Sequence, residues 1–227
     1  MSEEAVPTRQ AAKKVFIVDD HPLVRQGIGM LIDQQEDLAV CGEAGSAAEA
    51  LGAMEKDPPD AAIVDLTLKD SSGLELIKDM KVRLPDVRIL VLSMRDEGFY
   101  AERALRAGAL GYVTKEEGRD KVIEGLRRVL SGQIYVSERI ATKVMGRLVG
   151  GPANADTSPI EQLTDRELEI FELIGGGMAT REIAEKLHIS PKTVDSHREH
   201  LKQKLQVDTA AELTRHAIQW MQCRRNA

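Results

Sequence analysis

From Lys14 to about Arg128, short apolar runs alternate with stretches of helical period. VFIV precedes PLVRQGIGMLI, LAVCGEA precedes AAEALGAM, AAIVDL precedes GLELIKDM, RILVLS precedes YAERALRA, and LGYVT precedes VIEGLRRVL. The apolar runs lack an in-and-out alternation, so these strands are expected to be covered on both faces. That requires a parallel sheet, helices on both sides and right-handed crossovers. The first half is therefore expected to be a doubly wound α/β domain.

The period then changes. SERIATKVMGRLVG predicts one more helix, and GGPANADTSP has turn residues without apolar periodicity. Beyond Pro159 only helical patterns remain: LTDRELEIFELI, TREIAEKL, PKTVDSHREHLKQKL and TAAELTRHAIQWM, separated by GGG, HIS and QVD. The expected division is a flexible tail over 1–12, an α/β domain over 13–131, a helix-containing linker over 132–158 and a small four-helix domain over 159–227.

Composition narrows the classes. The chain has 227 residues, a length open to one large domain or two modest ones, and is 42% hydrophobic and 30% charged, enough apolar side chain for a real core and unlike disordered or fibrous chains. No apolar run reaches the roughly 20 residues of a bilayer span, and MSEEAVPTRQAAKK is unlike a signal peptide, so a cytoplasmic protein without membrane partners is expected. Cys41 and Cys223 lack metal or disulfide-framework spacing. A net charge of -6 disfavours a histone-like coat but leaves room for a small DNA-binding module.

Candidate chemistry sits at strand ends. Asp19 and Asp20 follow the first apolar run and Asp65 ends the third. In sheets of order 2-1-3-4-5, ligands bind beyond the carboxyl ends of strands one and three, where the topology reverses. Three carboxylates converging there repel one another unless a cation joins them, and an all-oxygen cluster suits Mg2+. Ser93 and Lys115 close the fourth and fifth strands at the same edge. A carboxylate nucleophile, a metal, a hydroxyl and an ammonium around one point make a phosphoryl-transfer site. Read singly, each has a plainer explanation: solvated loop acids, a strand-end cap, a surface lysine. Their joint placement favours chemistry.

These motifs, VDDHPLVRQG, VDLTLKDSSG with Gly73, the LS of Ser93 and GYVTK, resemble the receiver domain of bacterial two-component response regulators over residues 13 to 131. The resemblance implies that Asp65 is the phospho-acceptor. It implies that Asp20, Asp65 and the Thr67 carbonyl bind Mg2+ with Asp19 assisting, that Ser93 hydrogen-bonds the phosphoryl group, and that Lys115 pairs with its charge. Tyr112 would be the aromatic switch; a plain core aromatic is the other reading. Leu68-Lys69 replaces the family's frequent Met-Pro, and Glu116 stands where proline usually follows the lysine.

In the helical half, Thr164 and Glu167 have capping-box spacing, with Leu163 and Leu168 as staple. Thr180 is placed to cap the next helix, and Ser190 with Pro191 starts the one after it, whose Val194, Leu201 and Leu205 form an apolar stripe. Two such helices across a tight turn make a helix-turn-helix, although an unrelated bundle fits the geometry equally. The local sequence, above all SPKTVDSH, resembles the LuxR-type DNA-binding domain over about 159 to 222.

That resemblance implies that Asp195, Ser196 and Glu199 face bases, and that Lys192, Thr193, His197, Arg198 and Lys202 contact bases or backbone. Thr180 and Val194 complete the expected DNA-binding set. Asp195 and Glu199 can accept from cytosine, or they can simply pair with Arg198 and Lys202 on a solvated face. The last helix, with Trp220, is expected at a dimer interface, or merely closing the bundle.

Together the halves resemble response regulators of the NarL/FixJ class. The implied function is a phosphorylation-controlled, sequence-specific transcription regulator, not an enzyme on other substrates. A sensor histidine kinase would phosphorylate it, promoter DNA would bind a homodimer, and RNA polymerase is a further partner. The rival from the acids alone is a Mg2+-dependent phosphohydrolase with a helical cap.

Overall fold

The computed structural model describes residues 12–69, 72–148 and 159–225; residues 1–11 of the expected tail over 1–12 and residues 149–158 of the expected linker over 132–158 lie outside them. The chain divides into two compact units, Met1–Thr142 and Lys143–Ala227.

The first unit runs β1 (Lys13–Val18), α1 (Pro22–Asp33), β2 (Leu38–Ala44), α2 (Ala47–Met54), β3 (Ala61–Val64), α3 (Gly73–Arg83), β4 (Arg88–Ser93), α4 (Glu97–Ala107), β5 (Gly111–Thr114) and α5 (Arg119–Leu130). Its five parallel strands lie in the order β2-β1-β3-β4-β5, the doubly wound arrangement expected from the alternating apolar runs. Successive strand residues face opposite sides. Val15, Ile17, Ile63, Leu90 and Val113 therefore share a core with Ile28 and Ile32 of α1 and Val122, Leu126 and Val129 of α5. Their neighbours Phe16, Val18, Ala62, Val64 and Val91 are buried on the other face, where α2 meets β1 and β2, and α4 meets β5. Burying each such aliphatic side chain contributes about 1.5–3 kcal/mol, which explains why the strands read as unbroken apolar runs.

Past α5 the chain runs beside β5. Tyr135 forms a parallel bridge with Gly111, and α6 (Glu138–Leu148) follows.

The second unit contains a 3-10 turn at Pro159–Gln162, then α7 (Asp165–Gly175), α8 (Thr180–Lys186), α9 (Pro191–Leu205) and α10 (Ala210–Arg225). The capping box of α7 is formed: Thr164 Oγ1 accepts from the Glu167 amide, and Glu167 Oε2 accepts from the Thr164 amide. Leu163 and Leu168 are both buried beneath it.

The start of α8 corrects the sequence reading. Its N-cap is Ala179, and Thr180 is the first helical residue. Alanine offers no acceptor, so only half a box remains, in which Glu182 Oε2 accepts the Ala179 amide at 2.7 Å. Glu182 at the third helical position decides the register. The turn to α9 uses His188 in the left-handed region, φ 51°, and Ser190 caps α9 by accepting from the Thr193 amide. Phe171 of α7 meets Trp220 of α10 at 5.5 Å between ring centres, so α10 helps close this core.

Candidate functional site

The acidic pocket is a consequence of strand register. Val18 pairs with Val64, Val64 with Val91, and Ser93 with Thr114, so β1, β3, β4 and β5 end along one edge. Asp19 and Asp65 are the residues just past β1 and β3, Ser93 ends β4, and Lys115 lies just past β5.

There they meet. Lys115 Nζ lies 2.6 Å from Asp19 Oδ2 and 2.6 Å from Asp65 Oδ2. The Ser93 hydroxyl donates to Asp65 Oδ1 at 2.7 Å, and the Thr67 amide donates to the same oxygen at 3.2 Å. Asp19, Asp65 and Ser93 are buried, at 2%, 3% and 0% exposure. Burial alone would lower the Lys115 pKa, but its hydrogen bonds to Asp19 and Asp65 outweigh that and hold the ammonium above its ordinary value. The lysine is a fixed cation between two carboxylates that would otherwise repel.

The oxygen set fits a hard divalent ion. Carboxylate oxygens of Asp19, Asp20 and Asp65 and a ring nitrogen of His21 lie within 4.8 Å of one another. Asp20 Oδ1 is buried without a hydrogen-bond donor; His21 Nδ1 stands 2.6 Å away, an ion-pair distance without a well-directed hydrogen bond. A buried carboxylate oxygen left in this way is costly unless a cation completes it. Thr67 meets Asp65 through its amide and bridges to Ser72.

Gly73 allows the loop after β3 to close. A Cβ there would fall 2.2 Å from the Asp65 carbonyl oxygen, so only glycine permits this approach.

Tyr112 is 2% exposed and donates its hydroxyl to the Arg95 carbonyl at 2.7 Å. Burial pushes its phenol well above the ordinary range, so it remains a neutral donor. Two arginines near the pocket were missed by sequence reasoning. Arg25 donates to the Asp19 carbonyl at 2.7 Å, and Arg95 donates to Thr67 Oγ1 at 3.2 Å. Neither has a local sequence signal, because each becomes relevant only when separate loops are brought together.

The second candidate site is the outer face of α9. Lys192, Thr193, Asp195, Ser196 and Glu199 are exposed, while His197, Arg198, Lys202 and, on α8, Thr180 are half-buried. Of the two places expected for Val194, the apolar stripe holds and the DNA-contact role is corrected: Val194 is 0% exposed, as is Leu201, so its side chain packs between helices instead of lying on the outer face. Glu199 pairs with Lys202 at 2.9 Å, as one reading of the sequence allowed. Ser196 donates back to the Lys192 carbonyl. From α7, Arg166 donates to the Leu187 carbonyl at the α8–α9 turn, and the buried Glu167 holds Lys204 at 2.6 Å. Together these contacts fix the angle of α9. No helix among the described residues is long and apolar enough to cross a membrane.

Comparison with known proteins places the two halves of the chain in two families. Residues 15–127 match the response regulator receiver domain family, and residues 161–217 match the luxR family of bacterial regulatory proteins. The chain is 36% identical over 209 residues to oxygen regulatory protein NreC of Staphylococcus carnosus, covering 90% of this chain and 96% of that one. Its structure is similar to that of RcsB from Salmonella enterica serovar Typhimurium bound to promoter DNA with a beryllofluoride phosphomimetic. That match has TM-score 0.66 and 26% identity and covers 90% of this chain and 98% of that chain. A LuxR-family two-component response regulator from an Aurantimonas species is 32% identical with TM-score 0.56, covering 61% of this chain and 99% of that one. The chain thus belongs to the response regulators of the NarL/FixJ class, which join a receiver domain to a LuxR-type DNA-binding domain.

Proposed function

We propose that this protein is a transcription regulator whose DNA binding is controlled by phosphorylation of Asp65. The observation that carries this reading is the arrangement around one buried carboxylate: Lys115 and Ser93 each hold an oxygen of Asp65, and Asp19 and Asp20 stand beside it.

An Asp65 oxygen attacks the phosphorus of a phosphohistidine on a sensor kinase. An O–P bond forms, the N–P bond breaks, and the histidine nitrogen leaves with its electron pair. The Lys115 ammonium and the Ser93 hydroxyl supply donors for the charge spread over the phosphoryl oxygens. Asp19, Asp20, Asp65 and the Thr67 carbonyl would hold Mg2+, which supplies further neutralisation of that charge. Tyr112, anchored on Arg95, follows the loop after β4 when Ser93 turns to the phosphoryl group. The protein catalyses its own phosphorylation and dephosphorylation and acts on no other substrate.

The outer face of α9 reads promoter DNA in the major groove. Lys192, Arg198 and Lys202 meet phosphates, Thr193, Asp195, Ser196, His197 and Glu199 lie at or near base edges, and Thr180 supports the approach from α8. A homodimer with α10 at its interface places two such helices about one DNA turn apart, and RNA polymerase is a downstream partner in the cytoplasm. The relatives support this reading through what they are: an oxygen regulatory protein and a regulator bound to its promoter.

The test is incubation of the full chain with acetyl phosphate and Mg2+, followed by intact-mass and peptide analysis. The reading expects one phosphoryl group on Asp65, lost in Asp65→Asn. Turnover of small phosphate esters without a DNA response would favour a phosphohydrolase.

A further inference from the structure

Between the pocket and α6 runs a series of short contacts that the receiver chemistry does not require. Tyr135 is tied on both sides of Gly111: its amide donates to the Leu110 carbonyl at 2.9 Å, and its carbonyl accepts from the Tyr112 amide at 2.8 Å. Its ring lies on Gly125 of α5, where an added Cβ would fall 2.8 Å from Cδ1, and its hydroxyl donates to Glu124 at 3.1 Å. The segment after α5 is therefore anchored to both β5 and α5.

Two residues further on, the Ser137 hydroxyl donates to Glu97 Oε1 at 2.8 Å while accepting from the Ile140 amide at 3.3 Å. The Ser137 carbonyl accepts from the Ala141 amide at 2.9 Å. Arg139 adds an ion pair to the same Glu97 oxygen at 3.3 Å. Ser137 thus caps α6 and binds the first residue of α4 with one hydroxyl.

Glu97 lies two residues beyond Arg95. The Arg95 amide donates to Ser93 Oγ at 3.4 Å, the Arg95 carbonyl accepts the Tyr112 hydroxyl, and Ser93 itself donates to Asp65. A phosphoryl group on Asp65 changes what Ser93 binds, and the Arg95–Ser93 contact, at 3.4 Å, is a long one that yields readily. When that loop shifts, Glu97 shifts with it, whereas Ser137 is kept back by Tyr135. Bonds of 2.8 Å have little slack.

We propose that Glu97, Ser137 and Arg139 form a clasp that opens on phosphorylation and frees the first turn of α6. The clasp rests on the reading of Asp65 as phospho-acceptor and adds its output: the receiver's state is delivered to the helix that leaves it.

The experiment is residue-resolved amide hydrogen exchange on the full chain, with and without beryllofluoride plus Mg2+. The Ile140 and Ala141 amides are expected to exchange about tenfold faster with the mimic, the scale of losing a hydrogen bond to a charged group. Glu97→Ala gives the same acceleration without the mimic and no further change with it. Glu97→Arg also opens the clasp, and adding Arg139→Glu slows exchange again, a rescue that general misfolding would not produce. If the mimic protects residues 65–69 and 93–96 while Ile140 and Ala141 are unchanged, the clasp is wrong and the phospho-acceptor reading stands. If the mimic alters nothing at residues 65–69, both are overturned.

Discussion

Lys115 Nζ lies 2.6 Å from Asp65 Oδ2, although the two residues are 50 positions apart in the chain. The same ammonium meets Asp19 at 2.6 Å, so its removal leaves two buried carboxylates without their shared cation. Lys115→Met is expected to cost about 3 kcal/mol, the scale of breaking a buried ion pair from one side. Calorimetric unfolding checks this, and millimolar Mg2+ should restore more stability to the variant than to the parent chain, because the ion replaces the missing charge. Equal Mg2+ effects on the two would contradict the shared-cation account.

A second substitution probes the loop after β3. In Gly73→Ala the new methyl meets the Asp65 carbonyl at 2.2 Å unless the backbone moves. The expected cost is about 1–3 kcal/mol, as for other forced overpacking, together with slower phosphorylation by acetyl phosphate. Gly132→Ala is a poor control because its φ is +80°, but Gly118→Ala meets nothing within 4 Å and should phosphorylate at the parental rate.

Much of this was legible in the chain because it depends on local pattern. Strands covered on both faces appear as unbroken apolar runs, and Asp19, Asp65, Ser93 and Lys115 were each found at the ends of those runs. Their convergence follows from topology and needed no side-chain detail. Arg25 and Arg95 were not legible, since their partners are a backbone carbonyl and a hydroxyl on another loop. Tyr135 escaped for a related reason: a single bridged residue has no period. On α9, Val194 sits in the motif that carries the family resemblance, and the packing stripe, not the motif, decides its direction. At α8, Thr180 offered a cap, but Glu182 placed the box one residue earlier.

The second unit has its own acid-sensitive contact. Burial would raise the Glu167 pKa, but the Lys204 hydrogen bond and the Thr164 amide outweigh it and hold the carboxyl below its ordinary 4.5. A lowered folded pKa means stability that is present above about pH 4.5, the unfolded value, and lost as pH falls through the folded value. Trp220, the sole tryptophan, packs on Phe171 of the same helix as Glu167, so its fluorescence reports this unit. Lys204→Met should be less stable at pH 7, with the gap to the parent narrowing as pH falls below 4.5. A gap constant with pH would show that the pair is not the source.

On α9, position should separate affinity from specificity. Lys192→Ala is expected to weaken binding to all duplexes alike and to reduce the salt dependence by about one phosphate contact. Asp195→Ala should relax preference at one base pair, by about 1–3 kcal/mol, with little change in salt slope. Val194→Ala should lower thermal stability by about 1–2 kcal/mol through a core cavity and leave base preference unchanged. Binding to a set of single-base-substituted duplexes at several salt concentrations distinguishes the three.

The most direct test of the account joins both units: selection of duplexes from a randomised pool by the full chain, with and without beryllofluoride plus Mg2+. The account predicts a two-half-site sequence about one helical turn in period, bound more tightly with the mimic, and an Asp65→Asn variant that ignores the mimic. A selected sequence bound equally well in both conditions, by parent and variant alike, would contradict control by Asp65.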